Sequence, residues 1–277
     1  IYTWRRNRQV TYHIMNAILK LEKYRSRLFF LFLLFLVVGF LGKDNYKNII
    51  PDEANPEIFR DPVQTSVASA TPIEFQKDGF SYKLTPLYDY RISGLAVHRL
   101  DYDNWYSLSR TDETFTTDIC MLWGENLKSG AYKNKTLTID QDFRFCLFSY
   151  WGGQPINNDQ FSNNHLIIRN EEIKKINAEI SPGDQIRITG KLVNVEAYSL
   201  GKVKKYEPTK AKWTTSTTRN DSGAGACEIV YVEKIEILKK GNIAYHMLYR
   251  IVKYGISFII LWIFAQFIRY VFLVKRN

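Results

Sequence analysis

The sequence has few of the residues that most often carry catalysis or hold metal ions. It contains three cysteines and four histidines among 277 residues. The cysteines form no CxxC pair and have no metal-ligand spacing, which argues against a zinc site. The sequence also lacks a P-loop, an HExxH helix and a nucleophile elbow. We therefore predict a non-enzymatic protein with no catalytic residue, no metal and no cofactor.

Two of the histidines, His98 and His165, fall in the central region of the chain. His98 precedes the acidic segment RLDYD and is the better candidate for a titrating group. A single histidine on a strand is most often a structural residue with satisfied hydrogen bonds, and we expect that role for both.

A first uncharged apolar run, LFFLFLLFLVVGFLG, extends from Leu28 to Gly42. As a helix it would be about 22 Å long, shorter than the hydrocarbon layer of roughly 30 Å. It lacks the polar face of a core helix. The following GFLGKDNY also lacks the small-residue pattern of a cleaved signal peptide. We predict an uncleaved signal anchor at 28–42.

The residues before this run favour a cytoplasmic N-terminal segment, residues 1–27. Seven basic side chains oppose the single acid Glu22, and an excess of Lys and Arg marks the cytoplasmic side of a span. The basic residues are Arg5, Arg6, Arg8, Lys20, Lys23, Arg25 and Arg27.

A second apolar segment predicts a transmembrane helix at 251–274, followed by a cytoplasmic tail at 275–277. Its 21-residue core, Tyr254 to Val274, contains one amide, Gln266, and one charge, Arg269, which can snorkel toward the nearby end. Two spans place both termini on one side of the membrane. Basic residues on the domain side of this second segment make its own charge signal less clear.

Gln266 predicts that the second span packs against protein. An amide facing lipid is costly, whereas an interhelical hydrogen bond is favourable. The small residues Gly255 and Ala265 would admit a neighbouring helix. The alternatives are a contact with the first span, whose Gly39 and Gly42 could admit it, and a water defect near Arg269.

Between the spans, composition divides the chain into a stalk and a β domain. Residues 43–71 contain Pro51, Pro56 and Pro62 and predict an extended stalk; the alternative is an ordered lead-in strand. Residues 72–242 consist of short segments rich in Tyr, Phe, Val and Ile, separated by Gly, Asn and Asp. The predicted strands before the helix are Phe80–Leu84, Tyr90–Leu100, Trp105–Arg110, Asp118–Gly124, Lys135–Ile139, Phe143–Trp151 and His165–Arg169.

One short helix is predicted inside this domain. Asn170 can cap it, Glu171 and Glu172 suit its N-terminal dipole, and Pro182 ends it.

Residues 164–238 resemble the closing half of an OB-type small barrel. The helix is followed by PGDQIRITGKLVNVEAY, an alternating strand from Pro182 to Tyr198, and then by ACEIVYVEKIEIL, a strand from Ala226 to Leu238. The resemblance implies a barrel-like β domain, and an open sandwich is the alternative. The segment Ser199–Gly225 between the two strands is longer than such a barrel needs.

The cysteines carry a separate prediction. In an extracytoplasmic domain, Cys120 and Cys146 are the best pair for a disulfide, because both lie in apolar strands that could be neighbours. The alternative is that all three cysteines are small buried hydrophobic residues.

Two loops are candidate binding segments. The first, GKVKKYEPTKAKW, surrounds aromatic rings with lysines and suits an acidic partner, anionic lipid headgroups or single-stranded nucleic acid. The second, TTSTTRNDSGAGACE, holds a charged pair in a glycine-rich turn. The alternatives are a solvated charged loop for the first and a flexible hairpin tip for the second. The candidate residues are Lys202, Lys204, Lys205, Tyr206, Lys210, Lys212, Trp213, Arg219 and Asp221.

The leading functional hypothesis is a membrane-anchored scaffold or interaction subunit. Its β domain would lie outside the cytoplasm in an oligomeric envelope complex, and its partners would be membrane lipids and other membrane or envelope proteins, including copies of itself. The alternatives are a ligand-binding or sensing domain coupled to the spans, and a cytoplasmic nucleic-acid binder of inverted topology. With the predicted topology we expect no nucleic acid partner.

Overall fold

The computed structural model describes residue 24 and residues 27–67, 69–77, 79–102, 114–142, 144–201, 210–220 and 227–274. The chain divides into two compact units. A helical unit contains Ile1–Lys43 and Ile243–Asn277, and a β unit contains Asp44–Asn242. The mainly β domain predicted from the strand pattern is confirmed.

Five of the described strands pair in a closed ring. Along the ring they are β3 (Phe80–Asp101), β4 (Thr117–Leu122), β7 (Phe161–Ile167), β10 (Glu228–Lys239) and β8 (Gln185–Ser199). The β7–β10 pair is parallel, and the other four pairs are antiparallel. The last of these joins β8 back to β3, from Phe80↔Ser199 to Leu95↔Gln185, and so closes the ring.

The ring forms because alternate residues of each strand are apolar and share one face. Ile119, Leu166, Ile188 and Val230 are fully buried in the interior cluster. Gly190 allows β8 to approach β10 closely, since a Cβ there would lie 2.1 Å from the Tyr231 carbonyl oxygen.

The predicted helix is present as α3, Glu171–Ala178, between β7 and β8. The Asn170 side chain accepts hydrogen bonds from the backbone N–H groups of Glu172 and Ile173. Ile173 and Ile180 pack against the interior cluster of the ring. An additional four-residue helix, α2, spans Glu125–Lys128.

The observed strands differ from the predicted ones mainly in their bounds. Phe80–Leu84 and Tyr90–Leu100 belong to a single strand, β3, of 22 residues. β7 begins at Phe161, earlier than predicted, and includes the polar segment SNN, and Trp105–Arg110 lies outside the described residues. The strands outside the ring are β1 (Val63–Ser66), β2 (Ile73–Lys77), β5 (Thr138–Asp142), β6 (Phe145–Ser149) and β9 (Lys210–Trp213).

Residues 44–67 lie against the β domain and do not form the extended stalk that we predicted. They contain three short 3-10 helices, and β1 pairs antiparallel with β3. Ile58 is 1% exposed in a second apolar cluster outside the ring. The Glu57 carboxylate accepts a hydrogen bond from Arg187 Nε at 2.9 Å. The apolar and charged contacts of this segment hold it against the domain despite its prolines. The segment therefore corresponds to the alternative, an ordered lead-in strand.

Hairpin β5–β6 is fastened to the outside of the ring by a disulfide. Cys120 of β4 and Cys146 of β6 are bonded, with their Cα atoms 5.9 Å apart. Phe148 of the hairpin packs into the second apolar cluster, whereas Phe145 and Leu147 are exposed. The third cysteine, Cys227, is a half-buried free thiol.

This pairing predicts one titratable thiol in the denatured, unreduced protein, measured with a thiol reagent. The bond closes a separation of 26 residues. Its loss in Cys120→Ser should therefore lower the free energy of unfolding by about 3 kcal/mol. Cys227→Ser is the control and should leave no titratable thiol and the bond intact. A count of three thiols in the wild type would contradict the pairing.

The helical unit contains α1, at residues 27–43, and α4, Ile243–Val274. Gly39 meets Tyr249, Gly42 meets Tyr245, and Gly255 meets Phe32, so the two helices run antiparallel. A Cβ at Gly39 would lie 2.9 Å from the Tyr249 backbone nitrogen, so glycine permits this contact. The Phe40 and Tyr249 rings are 6.2 Å apart, and Lys43 Nζ lies 5.4 Å and 5.7 Å from their centroids.

The prediction of two spans is met in part. Within the described residues one helix is long and apolar enough to cross a membrane, Ile243–Arg269, with a mean hydropathy of 1.9. It begins before the predicted boundary at residue 251. Helix α1 is about 25 Å long at the usual rise per residue and is the shorter of the two.

The pairing of α1 with α4 predicts a cross-link between Gly39→Cys and Tyr249→Cys. A Cβ at position 39 lies 3.1 Å from that of Tyr249, so a small shift brings the pair to disulfide geometry. Oxidation in membranes should join the two cysteines, detected by thiol alkylation and mass spectrometry. Gly39→Cys with Ile251→Cys is the matched control, because Ile251 is 66% exposed. Equal cross-linking of both pairs would contradict the observed helix pairing.

Candidate binding site

β4, β7 and β10 form one surface on the outer face of the ring, with polar residues on β4 and β7. Neighbours in the strands, such as Ile119 and Leu166, point into the interior, so Asp118 and His165 point outward. Asp118 pairs with His165 in register, and His165 pairs with Ile229. Two residues along each strand, and therefore on the same face, Cys120 pairs with Asn163. Three strands therefore contribute to one surface.

The centre of this surface is a buried ion pair. His165 Nδ1 lies 2.7 Å from Asp118 Oδ1, and the two side chains are 7% and 0% exposed. The other carboxylate oxygen of Asp118 accepts hydrogen bonds from the Tyr102 hydroxyl at 2.7 Å and from Gln141 Nε2 at 2.9 Å. Both carboxylate oxygens are thus occupied by groups of the protein itself.

This pair holds a positive charge on His165 at neutral pH. Burial alone would lower the pKa of the imidazole, but the hydrogen bonds and negative charge of Asp118, with a contribution from Cys227, raise it to about 9. Burial and the Asp118 carboxylate also raise the pKa of Tyr102, which therefore stays protonated as a donor.

Hairpin β5–β6 and strand β9 form the walls above the pair. The guanidinium carbon of Arg144 lies 5.3 Å from the ring centroid of Phe115 and 5.4 Å from that of Trp213. The Phe115 ring lies 5.1 Å from the imidazole of His165 and meets Trp213 edge-on at 5.8 Å. Asn163 Nδ2 donates to the Arg144 carbonyl oxygen and so ties the start of β6 to the ring.

These walls enclose a half-open cavity of about 380 Å³. Its lining combines three cationic side chains with aromatic rings and one thiol. The lining residues are Phe115, Arg144, Phe145, His165, Lys212, Trp213, Thr214, Cys227 and Ile229.

The electrostatic balance of the cavity is positive. Asp118 lies behind His165 and neutralises one of the three cations. Lys212 is 61% exposed at the rim, 3.8 Å from Glu196. Burial lowers the pKa of Arg144, although a guanidinium stays charged at any ordinary pH.

The structure brings together two of the predicted loop residues, Lys212 and Trp213. They lie on β9, which pairs antiparallel with β8 through Val195↔Trp213. Lys210 belongs to the same strand but lies over the Tyr198 ring, at 5.1 Å, and does not line the cavity. Lys202, Lys204, Lys205, Tyr206 and Asp221 lie outside the described residues.

Arg219 is placed apart from the cavity, in a structural role. Its guanidinium lies 5.4 Å from the Tyr90 ring centroid and 5.8 Å from that of Trp123, and it pairs with the buried Glu228. The charged group of Arg219 is engaged with the β domain itself, and partner binding by Arg219 stays a prediction.

The remaining predicted positions lie in α4. Gly255 contacts Phe32 within the helical unit, Gln266 is half-buried and Ala265 is exposed. Among the described residues, no group of three or more His, Cys, Asp or Glu side chains is placed to hold a metal ion.

Sequence reasoning missed Arg144, Phe115 and the role of His165. Alternation along β7 puts His165 on the face opposite Leu166, which was an available signal. Arg144 gave no such signal, since only the folding of the hairpin brings it to the cavity.

In comparisons with known proteins, no family model, no curated protein and no solved structure matches the chain. The function therefore has to be inferred from the geometry of the site.

The His165–Asp118 pair predicts a stability loss at alkaline pH. A folded-state pKa of about 9 against 6.5 unfolded corresponds to roughly 3 kcal/mol. Because the pKa is raised on folding, this stabilisation is complete below pH 6.5 and disappears as the pH rises through 9. Urea unfolding at pH 6, 8 and 10 should show the wild type losing this increment, and His165→Gln should not.

His98→Gln is the matched control for this experiment. His98 is 30% exposed and lies 3.7 Å from Asp140, which is 86% exposed. That variant should keep the pH dependence of the wild type. The same pH dependence in His165→Gln would contradict the assignment of charge to the buried pair.

Proposed function

We propose that this chain is a non-enzymatic, membrane-anchored binding subunit that presents an OB-type β domain outside the cytoplasm, within an envelope complex. One observation carries the proposal: the closed five-stranded ring has a cationic, aromatic-lined cavity on its outer face, over His165 of β7 and Ile229 of β10. In OB-type barrels ligands bind on the face of the second and third strands and at its flanking loops, and β7 corresponds to the third strand.

The OB assignment is supported by strand order and by the position of the helix. With β3, β4, β7, β8 and β10 as strands one to five, the ring runs 1-2-3-5-4 and returns to 1. Helix α3 lies between the third and fourth strands. The long insertion before β10 contributes Lys212 and Trp213 to the cavity, so its extra length has a use in binding.

Anchoring is supported by the two apolar helices that flank the β unit. We propose that α1 crosses the membrane together with α4, since Gly39 and Gly42 of α1 meet tyrosines of α4 and Gly255 of α4 meets Phe32 of α1. The basic residues before α1 favour a cytoplasmic N-terminus. An antiparallel pair of spans then returns the C-terminus to the same side.

The Cys120–Cys146 bond supports an extracytoplasmic β domain, because disulfides persist in oxidising compartments and are rare in the cytosol. This location argues against the nucleic-acid alternative, although lysine and tryptophan in the cavity would suit a single strand. The cavity itself favours the second candidate function, a ligand-binding or sensing domain.

Partners in the membrane would be bound through α4. We propose Gln266 and Ala265 for this contact, because an amide in a span favours a polar partner on another helix. Gly255 is assigned to the contact with α1 instead, since it faces Phe32.

The topology predicts the behaviour of reporters inserted at Gly153. This residue lies in an exposed turn after β6, at a φ of +75°, where an insertion disturbs no strand. A reporter that works only outside the cytoplasm should be active there, and a cytoplasmic reporter should be silent. The same reporters fused after residue 277 should give the opposite pattern. Activity of the cytoplasmic reporter at Gly153 would overturn the proposed location and favour the nucleic-acid binder.

A further inference from the structure

We propose that the cavity binds a small molecule carrying an oxyanion, a phosphate or carboxylate group, whose flat or apolar remainder lies against Trp213. The inference rests on the proposed binding function and names the class of ligand. The supporting observation is that Arg144, His165 and Lys212 surround the same half-open cavity.

The position of Arg144 is the first step. Its guanidinium carbon lies 5.3 Å from the Phe115 centroid and 5.4 Å from the Trp213 centroid, within cation–π range of both rings, so contact with the two rings restricts the conformations of the side chain. A planar guanidinium presents donors in a fork that matches phosphate and carboxylate oxygens. A preoriented fork loses less entropy when an anion binds.

The second step is that the buried acid is not available to a cation. Asp118 is fully buried behind His165 and is contacted by His165, Tyr102 and Gln141. Glu196 lies 3.8 Å from Lys212 and does not line the cavity. A cationic ligand would meet Arg144 and Lys212 before any carboxylate of the described lining.

The third step is the size and composition of the space. A volume of about 380 Å³ falls within the range of small-molecule sites. Phe145, Trp213 and Ile229 supply apolar lining around the cations. A bare inorganic ion would leave this lining uncovered, so a ring attached to the anion should bind more tightly than the ion alone.

The test titrates the full chain in neutral detergent with three probes: inorganic phosphate, phenyl phosphate and benzoate. Binding is followed by tryptophan fluorescence and calorimetry at pH 7. We expect saturable binding of all three, with phenyl phosphate at least about threefold tighter than inorganic phosphate because its ring contacts Trp213. Trp213→Leu should remove that preference.

Variants then test the contribution of each charged residue to binding. Arg144→Gln should weaken phenyl phosphate binding about tenfold or more, and Arg144→Lys should restore only part of it, because the charge returns without the fork. Lys212→Gln should cost about two- to fivefold, since Lys212 is exposed. Arg60→Gln and Lys234→Gln are the controls, as both residues are exposed and lie outside the cavity lining.

A folding defect is distinguished from a binding defect by the thiol count and the melting temperature of each variant. If Arg144→Gln does not fold, Lys212→Gln and Trp213→Leu still decide the matter. Absence of binding by all three probes at millimolar concentration, or equal losses in the controls, would overturn the inference. Binding to phosphatidylglycerol vesicles without binding to the soluble probes would also overturn it, in favour of a membrane surface. The reporter experiment at Gly153 is independent of these affinities, so the proposed location can hold while the ligand class fails.

Discussion

The pairing of β3 with β8 is the constraint on which the rest of the β domain depends. It joins the first strand of the ring to the fourth over the span Phe80 to Leu95. Without it the same strands would form an open sheet with two exposed edges. With it, one face of every ring strand becomes interior, and the opposite face becomes a surface on which other segments can be placed.

That outer surface is used in two ways. Around Ile58 and Leu122 it is covered by the lead-in residues 44–67 and by hairpin β5–β6, which form a second apolar cluster. Around Asp118 and His165 it stays partly open and polar. Hairpin β5–β6 belongs to both parts, since Phe148 packs into the apolar cluster and the adjoining Arg144 lines the cavity.

Local signals in the sequence predicted much of the fold. The cap at Asn170, the alternation in β8 and β10 and the apolar runs at both ends each depend on neighbouring residues, and each could be identified without the structure. Closure of the ring could be suggested only by resemblance, since the β3–β8 register joins residues far apart in sequence. The lead-in segment was predicted as a stalk because proline content is a local signal, whereas its docking depends on distant partners such as Arg187.

The same distinction explains the site. Lys212 and Trp213 were predicted because they lie in a basic, aromatic segment. Arg144 was not, because it reaches the cavity only when the hairpin folds onto β4. Arg219 had a suggestive sequence context but is engaged with Tyr90, Trp123 and Glu228. Charge alone therefore did not separate residues that line the cavity from residues engaged within the fold.

The Cys120–Cys146 bond has a consequence for maturation. Arg144 lies two residues before Cys146, so the wall that carries it is covalently fixed only after the two thiols are oxidised. In a reducing compartment the hairpin would depend on noncovalent packing alone to hold Arg144 over His165. If the domain is exported as proposed, this wall becomes covalently attached to β4 only after translocation.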